Sequence, residues 1–501
     1  MCAIKMNTRT WRSARFSWLF LLVIGGVLGP APSVSRASDA PDAAAIAQLG
    51  RRLNDLLDSH HDPKVRLTAR VVDLTSGAAI YERNADTPLI PASNMKLMVM
   101  SAAIDRLGSD YQFTTSLSIR GKDLVVVGGG DPSFGDEKLC QQNGQAVTAV
   151  FHEWAAKLKA AGVKQVSGNI VIDDSIFDRQ FVHPNWPSDQ FQAWYEAPIG
   201  GLNICDNCVD VVVRPAAPGK PAILSFSPGN TFLQLVNQTT SGGKQTVSVR
   251  RKRDSDSIIA TGSVARPATL GPITVSDPGL FFGSAFKTTL AAKGIKVLGK
   301  VVREKVKLGA DRLPEGGHVI AVHSAPIVGA LQRSGRNSLG MMAEGLMKAI
   351  GAHKKGVGSW ATGREALSEF FAKVGVSPGQ YAIDDGSGLS RSNKVSARAA
   401  TQVLAYMYRA SGGAFEVLKS SLATPGDDGT LKRRLRGPLT KDRVFAKTGY
   451  INGVRTLAGY VQTQSGRWLA FAVFFNGSGK TRPLTAIQDK TCEVLAAWPK
   501  N

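Results

Sequence analysis

Aromatic residues make up only 7% of this 501-residue chain, and no nucleic-acid-binding module is visible in it. Base stacking needs aromatic platforms. The excess of 61 Lys and Arg over 39 Asp and Glu therefore points away from nucleic acid and toward other anions. Cysteine is scarce, with five in all, so the chain is no disulfide-stapled scaffold. Its seven histidines show no paired spacing near Cys205 and Cys208, and no metal site is expected. After residue 28 no long apolar run appears, which excludes a helical membrane bundle. Internal repeats and low-complexity tracts are also lacking.

The N-terminus is different in character. A basic stretch (Lys5, Arg9, Arg12, Arg15) precedes an apolar run over residues 16–28, broken by Gly25-Gly26. Small residues follow, and Ser35-Arg36-Ala37 suits cleavage. This is the pattern of a secretory signal peptide over residues 1–37. The run falls short of the ~20 apolar residues that span a bilayer, although an uncleaved anchor is the rival reading. No cysteine follows it, as a lipoprotein would need, and Arg12-Ser13-Ala14-Arg15 lacks the adjacent pair of a twin-arginine signal. A secreted or periplasmic location is expected, where disulfides are permitted. Cys140, Cys205, Cys208 and Cys492 would remain. Cys205-Asp206-Asn207-Cys208 reads as a local disulfide or as two buried thiols. Lys252-Arg253 and Lys432-Arg433-Arg434 are basic clusters, read first as solvated surface. Peripheral association with membrane or cell wall is the second reading.

At 501 residues the chain exceeds one hydrophobic core. Residues 40–60 pattern as a helix, and 65–81 alternate like a hairpin. Residues 109–309 read as short strands between Gly/Pro-rich turns, interrupted by helical patterns near 146–162 and 279–293. Helical periodicity returns over 327–350, 359–374, 396–411 and 413–421. Two strands after Phe445, a third from Trp468 and a closing helix over 485–498 finish the chain. A sheet with helices on its faces, built from both chain ends, is expected over 40–108 and 310–501. The strand-rich region 109–309 is inserted between them.

Chemistry concentrates in three places. Ser93-Asn94-Met95-Lys96 opens a buried helix. Serine and lysine three apart share a helical face, and the helix N-terminus favours developing negative charge. An uncharged amine one turn away would take the hydroxyl proton and activate the nucleophile. Near the other end, a strand carries Lys447-Thr448-Gly449-Tyr450. Between them lie Ser338, in a segment ending Met342-Ala343-Glu344, and the loop Asp385-Gly386-Ser387-Gly388-Leu389-Ser390-Arg391-Ser392-Asn393. Gly128-Gly129-Gly130-Asp131-Pro132-Ser133 stands upstream.

In that order, S-x-x-K, a serine-bearing loop and K-T-G are the signature set of penicillin-binding proteins and class A β-lactamases. With the long stretch between Ser93 and Ser338, the chain resembles the low-molecular-mass class C penicillin-binding proteins. These are the D-alanyl-D-alanine carboxypeptidase/endopeptidases of peptidase family S13. The resemblance implies a transpeptidase-like catalytic domain, mixed α/β and α+β, split in sequence by two nested accessory domains. It implies peptidoglycan stem peptides as substrate, β-lactams as covalent inhibitors, and no cofactor. Carried onto this chain, Ser93 is the acylated nucleophile, Lys96 the general base and Ser338 the middle-motif serine. Lys447 and Thr448 hold the substrate's terminal carboxylate, and Gly449 lets the strand approach the ligand. The backbone N–H groups of Ser93 and Tyr450 form the oxyanion hole. Leu389 and Arg391 lie at the cleft, with Arg391 facing an acidic stem-peptide side chain.

Two positions depart from the family pattern. Counting back from Ala343-Glu344 gives Ser338-Leu339-Gly340, with glycine where the family has asparagine. Asn337, one place before Ser338, does not restore the spacing. The resemblance implies that this asparagine binds the substrate's acyl amide and helps position the lysine. Losing one such hydrogen-bonding group costs about 1–3 kcal/mol, roughly 10- to 100-fold in rate. Tyr450 replaces a small hydroxyl residue. A catalytically impaired homologue that binds cell wall or scaffolds other enzymes is the alternative function. A β-lactamase or esterase on the same fold is a third reading, against which the long insertion argues.

Overall fold

The structure, a computed structural model, describes residues 42–477 and 479–499. The expected signal segment lies outside them. Among the described residues no helix is long and apolar enough to cross a membrane.

One strand organises the catalytic half. Trp468–Asn476 is an almost unbroken apolar run, WLAFAVFFN. A strand alternates its side chains between two faces, and such a run requires both to be covered. Leu469, Phe471, Val473 and Phe475 enter one core with Leu49, Leu53 and Leu57 of helix Ala43–Asp58 and Leu484 and Ile487 of helix Thr481–Ala496. Ala470, Ala472 and Phe474 enter another, formed by helices Met95–Leu107, Gly340–Lys355, Trp360–Val374 and Ala397–Arg409. The sheet is five-stranded and antiparallel, in the order Val444–Ile451, Val454–Gln462, Trp468–Asn476, Arg66–Asp73, Ala79–Arg83. Arg66 faces Asn476 and Asp73 faces Leu469, so the two chain ends are joined by a full ladder. The KTG-bearing strand lies at the sheet's edge, where Ala423 bridges its outer side at Ala446 and leaves the KTG end beyond that bridge without a further strand.

The inserted region carries a second five-stranded sheet, ordered Val301–Arg303, Ile170–Asp173, Asp123–Val127, Gln112–Arg120, His318–Pro326. Helices Ala149–Ala160 and Pro278–Ala292 cover it with Phe151, Trp154, Phe282 and Phe286, whose rings meet mostly edge-on or tilted. Two three-stranded sheets lie between Cys208 and Thr274. The closing strand His318–Pro326 extends the inserted sheet past residue 309, where the sequence pattern had placed its end. Cys140, Cys205, Cys208 and Cys492 are free thiols, and burial pushes Cys205 and Cys208 well above the usual thiol range.

The helix expected over 327–350 is two helices, Ile327–Gly335 and Gly340–Lys355. Ser338 breaks it with φ +61°, and Leu339 is extended. The polar stretch from Gln332 to Ser338 interrupts the apolar pattern there, and the apolar residues on both sides face one core. If Phe471 joins the covering helices to the sheet as described, Phe471→Ala costs about 3–5 kcal/mol. Urea unfolding checks this, and a loss below ~1 kcal/mol would contradict the two-faced burial.

Candidate active site

The serine sits on a gripped turn. Ala92–Asn94 forms a single 3-10 turn ahead of helix Met95–Leu107, and Ala92 holds φ +46°, a region costly for a residue with a Cβ. Thr456 Oγ1 donates to the Pro91 carbonyl at 2.6 Å, and Asn94 Nδ2 donates to Thr456 Oγ1 at 2.8 Å. On one side, a Cβ at Gly449 would lie 2.7 Å from the Pro91 carbonyl and overlap Thr456 Oγ1. On the other, a Cβ at Gly388 would overlap the Ala92 carbonyl, and Gly388 also needs its φ of +80°. Glycine at 449 thus answers to the chain's own turn. The approach it permits is that of Pro91 and Thr456, where the sequence reading had placed a ligand.

Two lysines meet in this site. Lys96 Nζ lies 3.1 Å from Ser93 Oγ and donates to the Ser387 carbonyl at 2.6 Å. Its side chain is buried, and burial pulls its ammonium down to about 8 against the opposing pull of Asp385 and Glu344. Lys447 Nζ donates to Ser338 Oγ and to the Thr448 carbonyl, both at 2.8 Å. Burial pushes Lys447 well below the usual lysine range, and the nearby charge of Lys96 adds to the effect. The left-handed backbone of Ser338 is what turns its hydroxyl onto Lys447 between the two helices.

Beneath them lie two buried carboxylates. Glu344 accepts from Trp360 Nε1 at 2.7 Å, Gly386 N at 2.9 Å and Ser387 N at 2.7 Å. Burial and the Asp385 charge push its carboxyl up to about 7. Asp385 accepts from Gly388 N (2.7 Å), Ser390 N (2.8 Å), Asn393 Nδ2 (2.6 Å) and Trp186 Nε1 (2.8 Å). The glycine-rich loop is therefore wound around one carboxylate and pinned to a second.

Ser93, Lys96, Ser338, Lys447, Thr448 and Gly449 are thus gathered at one place, and Gly340 opens the helix just beyond Ser338. A Cβ at Gly340 would meet the Tyr195 carbonyl at 3.2 Å and Ser387 Cβ at 3.5 Å. Asn337 does not take the missing asparagine's place, since its Oδ1 accepts from Arg333 Nη1 at 2.8 Å. Tyr450 is 63% exposed and lies flat against Arg455, whose guanidinium carbon is 3.4 Å from the ring centre. Leu389 is half-buried, packed at the margin of the helical core. Arg391 donates through Nη1 to the Asn452 carbonyl at 2.9 Å, which ties the loop to the turn after the KTG strand. In the basic clusters, Arg434 is ion-paired with Asp489 and Arg253 lies over the Phe191 ring. Among the described residues no group of three or more His, Cys, Asp or Glu is placed to hold a metal ion.

The sequence reading gave no role to Ser387, Glu344, Asp385 or Thr456. The first three sit in phrases it had marked, Asp385-Gly386-Ser387 and Ala343-Glu344. Thr456 carries no local signal, since its partners lie at Pro91 and Asn94.

A buried lysine against a helix-entry serine, faced by a lysine–serine pair from an edge strand and an inter-helix break, is an arrangement for acyl transfer through a serine ester. The relatives agree. A D-alanyl-D-alanine carboxypeptidase of Actinomadura sp. (strain R39) is 31% identical, over 94% of this chain and 88% of its own length. D-alanyl-D-alanine carboxypeptidase DacB of Haemophilus influenzae is 26% identical, over 81% of this chain and 84% of its own. The crystal structure of penicillin binding protein 4 (dacB) from Haemophilus influenzae superposes with a TM-score of 0.72 at 23% identity, covering 89% of this chain and 99% of that one. The model of the D-Ala-D-Ala carboxypeptidase 3 (S13) family matches residues 52–497. With nearly its whole described length matched, the chain belongs to the D-Ala-D-Ala carboxypeptidase 3 (S13) family.

Proposed function

We propose that this protein is a serine-type D-Ala-D-Ala carboxypeptidase/endopeptidase that acts on peptidoglycan stem peptides through an acyl-enzyme on Ser93. The observation that carries the reading is the buried Lys96 amine, 3.1 Å from Ser93 Oγ and held at about 8, where a useful fraction is neutral at physiological pH. Neutral Lys96 takes the Oγ proton as Oγ attacks the carbonyl carbon of the penultimate D-alanine. The backbone N–H groups of Ser93 and Tyr450 receive the oxyanion. The C–N bond breaks, the proton passes to the leaving nitrogen through Ser338, and D-alanine departs. Water then repeats the sequence on the ester and frees Ser93. A cross-linked peptide differs only in its larger leaving group, so endopeptidase activity uses the same steps. A β-lactam acylates Ser93 likewise and stays attached because its leaving nitrogen remains tethered.

Lys447 and Thr448 receive the substrate's terminal carboxylate. Two buried ammonium groups repel each other. An arriving carboxylate supplies the charge that Lys447 lacks, and a charged Lys447 in turn favours the neutral form of Lys96. Substrate binding and base activation thereby support one another. The missing asparagine does not leave Lys96 unheld, because the Ser387 carbonyl accepts from it. Gly340 and Tyr450 are what the impaired, wall-binding alternative rests on, and the intact Ser93–Lys96 and Ser338–Lys447 pairs favour the enzyme over it.

For the N-terminus we propose export with cleavage after residue 37, on the strength of its basic and apolar pattern. For the chain's organisation we propose a catalytic domain built from both chain ends, beginning at 40–108. The accessory region starts at 109 and runs through His318–Pro326, beyond the 309 expected, because that strand pairs with Gln112–Arg120.

Intact mass after incubation with benzylpenicillin tests the reading. One penicilloyl group per chain is expected, and none on Ser93→Ala at unchanged thermal stability. A full adduct on Ser93→Ala, or none on the folded wild type, would contradict it. The base assignment sets the pH dependence. Lys96 must be neutral, so the acylation rate is expected to rise as pH passes through about 8 and to level off above it. Stopped-flow acylation between pH 6 and 10 checks this, and a rate that falls over that rise would exclude Lys96 as base.

A further inference from the structure

We infer that Glu344 is a positioning residue for Lys96, acting through the backbone of Ser387. The inference rests on the acyl-transfer reading of the site and assigns what replaces the asparagine that Gly340 removes.

Lys96 Nζ has two hydrogen-bond partners among the described residues, Ser93 Oγ and the Ser387 carbonyl. A neutral amine has two N–H bonds and one lone pair. Only when an acceptor other than Ser93 takes an N–H is the lone pair turned toward the Ser93 hydroxyl. With glycine at 340, that acceptor is a main-chain carbonyl, which no substitution at 387 deletes. Its position depends on what holds the loop.

Glu344 holds it. Ser387 N–H donates to Glu344 Oε1 at 2.7 Å, while the C=O of the same residue receives Lys96. Gly386 N–H donates to Oε2 at 2.9 Å. The fit is close: a Cβ at Gly386 would come 2.9 Å from the Ala343 carbonyl and 3.1 Å from Glu344 Oε2, so the loop lies directly on the helix. Trp360 Nε1, at 2.7 Å from Oε2, orients the carboxylate from the other side. Asp385 holds the amides of Gly388 and Ser390 and the Asn393 side chain. It reaches residue 387 only through the Ser387 hydroxyl at 3.3 Å, so the Gly386 and Ser387 amides are held by Glu344. Both carboxylates and Lys96 are fully enclosed, so a displacement of the loop cannot be buffered by water.

The charges that face this unit are Asp385 from the loop, Lys447 from the edge strand and Lys348 from the same helix as Glu344. Of these, Asp385 joins Glu344 in favouring the ammonium form of Lys96, while Lys447 opposes it. Removing the Glu344 charge therefore lowers the pH at which Lys96 becomes neutral. Moving the Ser387 carbonyl lowers the limiting rate, since small misplacements at a reacting group cost up to about 10²-fold.

The test is the pH profile of acylation by a fluorescent penicillin, measured on the full chain as wild type, Glu344→Gln and Glu344→Asp, each with its thermal unfolding curve. Glu344→Gln is expected to lower the plateau about tenfold or more and to move the midpoint to lower pH. Glu344→Asp keeps the charge but withdraws the acceptor by one methylene, so its plateau falls while its midpoint stays at the wild-type value. A folded Glu344→Gln with wild-type plateau and midpoint would overturn the inference. So would a lower plateau with an unmoved midpoint, which marks a merely structural role. If Glu344→Gln does not fold, Glu344→Asp decides: a wild-type plateau, or a lowered plateau with weakened penicillin binding, overturns the inference, whereas a lowered plateau with the half-saturating penicillin concentration unchanged supports it. A wild type that does not acylate at any pH refutes the acyl-transfer reading itself and is distinct from these outcomes.

Discussion

The burial of two lysines in one small site is the constraint on which the rest depends. An ammonium ion loses its hydration when enclosed, and two of them also repel. Lys96 and Lys447 escape this only in part, through the Ser387 and Thr448 carbonyls and two serine hydroxyls. The cost is useful. A lysine in water is a poor base near neutrality because it is protonated. Enclosure brings Lys96 into a range where it can accept a proton, and Glu344 and Asp385 keep it from falling further. The site is thus incomplete in charge until a carboxylate arrives, which is the feature shared by a D-alanyl terminus and a penicillin.

The fold supplies that enclosure from distant segments. The edge strand Val444–Ile451 and the serine turn belong to opposite ends of the chain, and the ladder between Arg66–Asp73 and Trp468–Asn476 brings those ends together. The turn itself is under backbone strain at Ala92 and is held between Gly449 and Gly388. Such strain persists only where the surroundings over-determine it. Here they do, through the Thr456 hydroxyl, the strand and the loop. The loop is in turn held by two buried carboxylates and by Arg391 on Asn452. Each contact that shapes the serine is made by a segment with another task.

Much of this was legible in the sequence, for identifiable reasons. Ser93 and Lys96 were readable because helix spacing places them on one face and the serine loop and Lys447-Thr448-Gly449 follow in order. Lys447 and Thr448 were readable because Lys-Thr-Gly on a strand completes the motif set that Ser93 and Lys96 begin. The strand at Trp468 was readable from its apolar run, whereas the burial of both its faces came only with the structure. What stayed hidden depends on tertiary contact. The break at Ser338 had a signal in the polar run from Gln332 to Ser338, but its left-handed backbone, which places the hydroxyl, did not. The reason for glycine at 449 lies at Pro91, and its partner Thr456 carries no motif. At Gly340 the sequence showed a loss, whereas its replacement is a backbone carbonyl that no side-chain pattern encodes. Arg391 reads as a binding residue by charge and serves also as a latch.

The central claim is that a site without the motif asparagine still completes the reaction, because the Ser387 carbonyl holds Lys96 in its place. Release of D-alanine from a stem pentapeptide by the purified protein measures this most directly. Catalytic release, many turnovers per chain and blocked by prior exposure to penicillin, is the result the account requires. Penicillin acylation with no release of D-alanine beyond one equivalent would contradict it, for the site would then bind and acylate without turning over.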